Sequence, residues 1–325
     1  MGPTSTATIF ALVQNDLAAV ERTLARAVET EDGLMRRLLS LVLPGSGKRL
    51  RPAIALLCGR VNEYHPEPLV SFAAALEMLH TATLVHDDIV DEATVRRGEP
   101  TLNRQVNNSI AVLVGDYMFA QSAAHTAATR HLDVISSFAR SSMTIISGQI
   151  DESWSDGGVD LAKEQYLRRI GHKTAALFAL AAEGGGMLSN APAHVVRAMS
   201  HYGYHLGLAF QIVDDILDVI GDEETLGKPV GSDVRQGTVT LPAILVRDQI
   251  PEAVFRAAFL GDGSGREEMI RVVLDTIRRN GGIEGSYAEA ERLVGEACAA
   301  LDVLPEGEVR NGLLDLASHI VRRVR

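Results

Sequence analysis

A long central stretch of this chain contains no proline, since none occurs between Pro100 and Pro192. Proline removes a backbone hydrogen bond and clashes with the preceding helical turn, so its absence permits long uninterrupted helices. Apolar residues also recur three and four positions apart, the spacing of an amphipathic helix, and alanine and leucine, both strong helix formers, are frequent. Five long segments show this spacing: residues 66–91, 103–129, 131–154, 160–183 and 191–221. The pattern predicts an all-α fold.

The remaining segments fit the same fold class. Shorter helices are predicted over residues 5–42 and 251–325, and "EGGGM" at 183–187 predicts a break between two helices. No repeat, low-complexity tract or shift in composition indicates a linker, so we expect one all-α domain over residues 1–325, with the last third packed on a central helical bundle. The glycine-rich segment at 221–238 is a candidate mobile lid.

Composition narrows the class of protein. With 46% hydrophobic and 22% charged residues the chain is globular, and 42 acidic against 31 basic residues give a net charge of −11, which argues against a nucleic-acid surface. The two cysteines, Cys58 and Cys298, provide no disulfide framework, which favours a reducing cytoplasm. The sequence shows neither an apolar run of about 18 residues nor a signal-peptide pattern. We therefore expect a soluble, cytoplasmic protein without a transmembrane segment.

Two aspartate clusters recur in apolar surroundings, in "LVHDDIVD" at 84–91 and "IVDDILDV" at 212–219. On a helix each cluster shares one face, although like charges at this spacing repel each other. Two solvated faces are the simplest alternative, but Phe210, Val213 and Leu217 form an apolar stripe that packs the second cluster into a core. We therefore expect the clusters to face each other across one cavity. The six residues are Asp87, Asp88, Asp91, Asp214, Asp215 and Asp218.

Such clusters indicate a metal ion and a phosphorylated substrate. Oxygen ligands without a histidine–cysteine set favour Mg²⁺ or Mn²⁺ over zinc, and Mg²⁺ is usually shared between one or two carboxylates and substrate phosphates. Basic residues that could hold those phosphates lie near the clusters or in glycine-rich loops, although each taken alone would suggest a surface cation. They are Lys48 and Arg51 in a glycine-rich loop that opens a predicted helix at Pro52, Arg96 and Arg97 after the first cluster, and Lys173 and Lys228.

Five motifs occur along the chain: "GKRLRP" at 47–52, "HTATLVHDDIVDEATVRRG" at 80–98, "GHKTA" at 171–175, "FQIVDDILD" at 210–218 and "GKPVGSDVRQGTVTLP" at 227–242. Together they resemble the trans-type isoprenyl diphosphate synthases, most closely the medium- and long-chain polyprenyl diphosphate synthases. The resemblance implies helices around a deep central cavity, a homodimer, and head-to-tail condensation of isopentenyl diphosphate with an allylic diphosphate.

The resemblance also assigns roles to residues. Asp87, Asp91 and Asp214 would ligate Mg²⁺, about three ions per site with Mn²⁺ as a substitute, and Asp88, Asp215 and Asp218 would be further ligands or supports. Arg96, Lys173 and Lys228 would hold the allylic diphosphate, whereas Gly47, Lys48, Arg51, His80 and Arg97 would hold isopentenyl diphosphate. Thr174 and Gln211 would direct their oxygens at the carbocation. Many relatives carry lysine where this chain has Thr238, so that position is left out of the expected site.

The physical logic of the reaction agrees with these assignments. Diphosphate leaves only when its developing charge is neutralised, which metal ions and fixed cations accomplish. The allylic cation then needs a dry cavity with neutral oxygen dipoles, and no Ser–His–Asp or Cys–His set is required or found. The departing diphosphate is the natural base for the final proton.

Product length is predicted from the residues before the first cluster. Short-chain relatives place an aromatic residue four or five positions before the first aspartate, whereas this chain has Thr83 and Ala82 there. We therefore expect an open tunnel, a hexaprenyl to decaprenyl product for a quinone side chain, and farnesyl or geranylgeranyl diphosphate as primer. Leu79, Met118 and Phe119 are three alternative candidates for the residue that closes the tunnel floor. Release of the apolar product suggests transient membrane contact.

Other functions share part of the pattern. A short-chain farnesyl or geranylgeranyl diphosphate synthase differs only in tunnel depth. A non-catalytic partner subunit of a heteromeric synthase is a further alternative, although such subunits usually lose aspartates and all six are present here. Terpene cyclases lack a site like that of Lys48 and Arg51, and a calcium-binding loop is disfavoured because the aspartates lie on predicted helices.

Overall fold

The computed structural model describes residues 11–29, 32–43, 49–96, 98–154, 159–221, 230–263 and 265–322. These residues are helical almost throughout, which confirms the all-α prediction. The helices are α1 (Gln14–Glu29), α2 (Gly33–Leu39), α3 (Leu50–Cys58), α4 (Pro66–Val90), α5 (Leu102–Gln105), α6 (Asn108–Ala128), α7 (Leu132–Trp154), α8 (Lys163–Ile170), α9 (Ala176–Leu188), α10 (Ala193–Ile220), α11 (Ser232–Arg235), α12 (Leu241–Leu245), α13 (Glu252–Leu260), α14 (Arg266–Arg279), α15 (Gly282–Ala300) and α16 (Glu308–Arg322).

Three short elements interrupt the helices. A π-helical turn, Gly171–Ala175, joins α8 to α9 and is called the π turn below. Two 3₁₀ turns, Arg247–Gln249 and Leu301–Val303, follow α12 and α15. Strands β1 (Val95–Arg96) and β2 (Glu99–Pro100) pair antiparallel, with Val95 opposite Pro100. This hairpin directly follows the first aspartate cluster and turns the chain back toward it.

Helix α9 lies at the centre of the bundle. It contacts α3, α4, α7 and α10, and its residues Leu177, Phe178 and Leu180 are buried among them. Helix α6 covers another side of α4, while α15 packs along α10. The two aspartate clusters therefore lie near the C-terminal ends of α4 and α10, two long helices whose separation is set by the core between them.

The predicted helix break at "EGGGM" is wrong, because α9 runs through Gly184, Gly185 and Gly186 and ends at Leu188. The glycines permit close packing instead. A Cβ atom on Gly184 would lie 2.3 Å from the Phe72 ring, and one on Gly185 would lie 2.3 Å from the carbonyl oxygen of Ala55. Glycine usually weakens a helix interior, but here it lets α3 and α4 approach α9 closely.

Helix α4 is long and apolar enough by composition to cross a membrane. However, most of its apolar stretch is buried inside the protein, as in the core helix of a globular fold. The helix begins at Pro66, a residue suited to the first turn, and ends in the acidic cluster at Asp87 and Asp88. Its apolar character is therefore explained by packing against α6, α9, α3 and α1.

Candidate active site

A polar cavity of about 680 Å³ opens between the two aspartate clusters. Asp91 of the first cluster and Asp214 and Asp215 of the second line it, so the two clusters meet at one cavity as predicted, whereas Asp87, Asp88 and Asp218 lie outside its lining. The same walls contain a lysine, an arginine and several neutral oxygen and amide groups. The lining residues are Val90, Asp91, Gln149, Glu152, Ser153, Arg169, Ile170, Lys173, Thr174, Gln211, Asp214, Asp215, Asp233, Gln236, Thr238 and Thr240.

The π turn places Lys173 and Thr174 in this cavity. Glycines allow neighbouring helices to close around it: a Cβ atom on Gly148 of α7 would lie 2.6 Å from the His172 Cβ, and one on Gly207 of α10 would lie 2.6 Å from the Ala175 Cα. π-Helical turns inside helices occur frequently at functional sites. Here the turn aims two adjacent side chains at the cavity while its backbone stays packed between α7 and α10.

Lys173 is held by Glu152, a residue that the sequence analysis did not identify. The Lys173 ammonium donates to Glu152 Oε2 at 2.8 Å, and the Arg169 guanidinium lies 3.8 Å from Glu152 Oε1. Burial would lower the pKa of the Lys173 ammonium, but Glu152 and the carboxylate of Asp87 outweigh burial and raise it. Lys173 therefore stays charged at the cavity wall, where it can pair with an anionic group.

The first cluster carries concentrated negative charge. Burial raises the pKa of Asp87 to about 6, even though Lys173 and Arg96 favour its charged form, and burial also raises the pKa of Asp91. Asp88 is buried and accepts from Arg96 Nε at 2.8 Å. The cluster therefore separates into a paired aspartate, Asp88, and two carboxylates whose ionisation is disfavoured in the folded protein.

In the second cluster, Asp215 is the centre of a hydrogen-bond chain. Its Oδ2 accepts from the Tyr166 hydroxyl at 2.6 Å and its Oδ1 accepts from Gln211 Nε2 at 2.8 Å. The Thr174 hydroxyl lies 2.7 Å from Gln211 Oε1. Burial raises the pKa of Asp215 to about 6, although both hydrogen bonds favour its charged form. Asp214 is half-buried and lines the same cavity wall as these hydrogen-bonded residues.

Asp218 makes different contacts. It is buried, its Oδ1 accepts from the Ser232 hydroxyl at 2.6 Å, and its Oδ2 accepts from the backbone N–H of Asp233 at 3.1 Å. Its backbone carbonyl also accepts from the N–H of Gly231 at 2.8 Å. These bonds attach the segment that begins at Val230 to α10, so in this structure Asp218 supports the cavity wall formed by Asp233 and its neighbours.

Three other expected substrate ligands also lie outside the lining of the cavity: Arg51 on α3, His80 on α4 and Arg96 on β1. The Arg51 guanidinium lies over the Phe178 ring at 4.8 Å, and His80 is half-buried on α4. Arg49, in a left-handed conformation with φ 46°, pairs with Glu77 of α4 and Glu21 of α1, each at 2.5 Å. The predictions for Gly47, Lys48, Arg97 and Lys228 lie outside the described residues.

Sequence reasoning missed Glu152, Arg169 and Tyr166. Glu152 belongs to "GQIDE" near the end of α7, and this single acidic pair does not match either aspartate cluster, so it gives no signal. Arg169 donates to the carbonyl of Val239 at 2.5 Å. The two residues are far apart in the sequence and belong to no common motif, so the sequence does not indicate this contact. Tyr166 is fully buried on an amphipathic helix, where a tyrosine is usually assigned to the core. Only the three-dimensional contacts identify these residues as parts of the site.

The donor set fits Mg²⁺. Asp87, Asp91 and Asp214 offer carboxylate oxygens, the ligands this ion prefers, and the disfavoured ionisation of Asp87 is of the kind that a cation would relieve. Among the described residues, no three histidine, cysteine or acidic side chains converge into a complete metal site. Mg²⁺ typically binds through one or two carboxylates and substrate phosphates, so the arrangement suits an ion shared with a diphosphate.

Comparisons with known proteins agree with this chemistry. A family model described as polyprenyl synthetase matches residues 33–277. The heptaprenyl diphosphate synthase component 2 of Geobacillus stearothermophilus is 38% identical over 317 residues, covering 97% of this chain and 98% of that protein. The octaprenyl diphosphate synthase of Escherichia coli K12 is 35% identical, with the same coverage. A crystal structure of a polyprenyl synthase from Caulobacter crescentus, complexed with calcium and isoprenyl diphosphate, has a TM-score of 0.93 and 31% identity and covers 99% of both chains.

Proposed function

Because this chain belongs to the polyprenyl synthetase family and is a prenyltransferase, we propose that it condenses isopentenyl diphosphate head-to-tail with an allylic diphosphate, giving an all-trans polyprenyl diphosphate. One observation carries the proposal. A single cavity combines carboxylates from both clusters with the Lys173 cation and the oxygens of Thr174 and Gln211. These are the groups needed to bind a diphosphate and to stabilise an allylic cation.

The residues of the cavity have different roles in the proposed reaction. Bound Mg²⁺, held by Asp87, Asp91 and Asp214, would supply positive charge to the leaving diphosphate. Lys173 holds the same diphosphate, and its own position is fixed by Glu152. When the bond between C1 and oxygen breaks, the oxygens of Thr174 and Gln211 face the allylic cation without acting as nucleophiles. The double bond of isopentenyl diphosphate attacks C1, and the released diphosphate accepts the proton lost from the neighbouring carbon.

We propose a hexaprenyl to decaprenyl product, with farnesyl or geranylgeranyl diphosphate as primer. Ala82 is fully buried on α4, one turn before the first cluster, and its small side chain leaves more volume than an aromatic residue would. The heptaprenyl and octaprenyl synthases that this chain resembles support this length. Leu79 and Met118, both fully buried, and Phe119, whose ring lies 6.4 Å from Phe138, remain candidates for the tunnel floor.

We also propose a homodimer. Helix α7 exposes Met143, Ile146 and Ile150 at helical spacing on one face, and α6 beside it exposes Leu113. Exposed apolar side chains that share one helix face favour a protein partner, and a second copy is the simplest one. Light scattering of the purified protein should give about twice the chain mass, and I146D should shift it toward the monomer. An Ile146→Asp variant that stays dimeric would contradict this surface assignment.

The relative named component 2 makes a partner-dependent synthase the second candidate, since that protein is one component of a heptaprenyl diphosphate synthase. This chain would then condense substrates only when mixed with another subunit. Activity of the purified chain alone separates the two candidates.

We further propose that the protein works in the cytoplasm, with transient membrane contact at product release. Fractionation of cells and sedimentation with vesicles during turnover test that proposal.

The deciding experiment incubates the purified chain with Mg²⁺, labelled isopentenyl diphosphate and farnesyl diphosphate, and resolves the products by length. We expect products of hexaprenyl length or longer, and a loss of about 10³-fold or more in rate for Asp87→Ala and Asp214→Ala. Asp262→Ala, an exposed loop position, is the matched control and should retain full activity.

Three outcomes distinguish the candidates. Products that stop at farnesyl or geranylgeranyl length would refute the proposed open tunnel and leave the reaction intact. Ala82→Phe should shorten the products of an active enzyme if α4 lines the tunnel, and unchanged lengths would contradict that placement. If the chain is folded and binds Mg²⁺ but incorporates no labelled isopentenyl diphosphate, the partner-dependent candidate becomes the favoured one.

A further inference from the structure

Three hydrogen bonds connect the buried interior of α8 with the cavity surface. Tyr166 is fully buried and its hydroxyl donates to Asp215 Oδ2 at 2.6 Å. Gln211 Nε2 donates to Asp215 Oδ1 at 2.8 Å, and the Thr174 hydroxyl is 2.7 Å from Gln211 Oε1. Thr174, Gln211 and Asp215 line the cavity, whereas Tyr166 lies behind them. Tyr166 therefore reaches the cavity only through its neighbours.

The chemistry of the groups fixes the direction of each proton. An ionised carboxylate only accepts hydrogen bonds, so both the Tyr166 hydroxyl and the amide N–H of Gln211 must donate to Asp215. With its nitrogen directed at Asp215, the amide of Gln211 presents its oxygen to Thr174. An amide oxygen also only accepts, so the Thr174 hydroxyl has to donate. The chain of bonds thus runs in one direction, from Thr174 to Gln211 and from Gln211 to Asp215.

This direction matters for a cation in the cavity. Because the Thr174 proton points at Gln211, the lone pairs of the Thr174 oxygen remain available on its other sides. A hydroxyl that donated into the cavity would instead present a partial positive charge to the allylic cation and destabilise it. Fixed dipoles aimed at developing charge contribute strongly to catalysis because they need no reorganisation during the reaction. The orientation of Gln211 therefore has a chemical consequence.

We propose that Tyr166 is a positioning residue for ionisation of the allylic substrate. The Tyr166 hydroxyl occupies Oδ2 of Asp215 and leaves Oδ1 as the acceptor for Gln211. The side-chain amide of Gln211 is then held in one orientation. Because its oxygen accepts from Thr174, the Thr174 proton stays directed away from the substrate. Tyr166 is not among the residues that line the cavity, and its hydroxyl acts through Asp215. The inference rests on the proposed function, because it presupposes an allylic cation next to Thr174.

The chain provides a matched control for the loss of a buried tyrosine hydroxyl. Tyr202 of α10 is also fully buried, and its hydroxyl donates to the carbonyl of Leu313 at 2.8 Å, away from the cavity lining. Tyr166→Phe and Tyr202→Phe each keep the ring and remove one hydrogen bond. A purely structural role for Tyr166 predicts that both variants lose stability and neither changes the chemistry. A positioning role predicts a catalytic defect in Tyr166→Phe alone.

The experiment measures condensation of farnesyl with isopentenyl diphosphate at saturating Mg²⁺, together with farnesol formed when water captures the cation. In that side reaction farnesyl diphosphate and water give farnesol, diphosphate and a proton. For Tyr166→Phe we expect kcat to fall at least about tenfold, KM values to stay within about threefold, and the fraction of farnesol to rise. Tyr202→Phe should match the wild-type kcat and farnesol fraction.

A double-mutant cycle tests whether Tyr166 acts through the hydroxyl of Thr174. Thr174→Val removes that hydroxyl at nearly constant volume, so adding Tyr166→Phe to it should lower kcat less than about twofold further. Full additivity of the two effects would overturn the proposal, as would a wild-type kcat and farnesol fraction in Tyr166→Phe. An inactive wild-type protein would instead refute the proposed function, so the two failures are distinguishable.

Discussion

Asp87→Asn should stabilise the metal-free protein while abolishing its activity. Burial raises the pKa of Asp87 to about 6 from the ordinary 3.8, so above that pH the folded state has to keep a carboxylate charged where charge is disfavoured. The carboxylate also lies in the last turn of α4, where the helix dipole opposes negative charge. Asparagine has a similar shape without the charge.

The size of the effect follows from the pKa difference, at about 1.4 kcal/mol for each pH unit. The upper bound is about 3 kcal/mol at pH 8, and screening by solvent at this partly exposed site reduces it to about 1–2 kcal/mol. Because the folded protein binds more protons than the unfolded chain between about pH 4 and pH 6, wild-type stability falls as the pH rises through that window. The stabilising effect of the variant therefore grows across the same window and then levels off.

Thermal unfolding with a chelator, followed from pH 4 to pH 8, measures this effect. We expect the Tm of Asp87→Asn to match that of the wild type near pH 4 and to exceed it by about 1–4 °C at pH 8. Asp262→Asn, at an exposed loop position, should show no such trend. With Mg²⁺ and inorganic diphosphate the order should reverse, because only the wild type keeps the carboxylate that we propose binds the metal. A variant that is equally or less stable than the wild type at pH 8 without metal would refute the reasoning.

Three further variants test the packing and the cavity wall. Gly185→Ala should lower the unfolding free energy by about 2–3 kcal/mol in denaturant titration, since its Cβ would lie 2.3 Å from the Ala55 carbonyl oxygen. Gly295→Ala, with no atom within 4 Å of its Cβ, should instead raise it by about 0.5–1 kcal/mol. Ser232→Ala removes a hydrogen bond to buried Asp218 and should cost about 1–3 kcal/mol with a parallel loss of activity. An unchanged unfolding midpoint in Ser232→Ala would show that this bond does not hold the segment.

The helices were predictable because their signal is local. Apolar spacing and the lack of proline identify α4, α7 and α10 within about two residues of their observed ends, whereas the segment predicted over residues 103–129 is divided into α5 and α6. The continuity of α9 through "EGGGM" was not predictable, because glycine lowers helix propensity in every sequence. The close packing that Gly184 and Gly185 permit depends on Phe72 and Ala55, which are distant in the chain. Tertiary packing decided the conformation there.

The candidate site divides in the same way. Repeated aspartates and the lysine–threonine pair at 173–174 indicate a metal-dependent diphosphate site from the sequence alone. The distinct tasks of the six aspartates are not readable from the sequence, because identical spacing gives Asp215 a tyrosine partner and Asp218 a serine partner. Glu152 was missed for the same reason, since its contact with Lys173 arises only when α7 packs beside the π turn.

The packing of α15 along α10 sets a limit on where the chain can be cut. The matched family region ends at residue 277, which invites truncation there, but α15 and α16 lie beyond that point. Ala290, Leu293 and Ala297 of α15 are buried, and α15 covers the helix that presents Gln211 and the second cluster. A protein shortened to residue 277 would expose this apolar seam to water, so we expect it to aggregate. The C-terminal helices are therefore part of the scaffold that the active site requires.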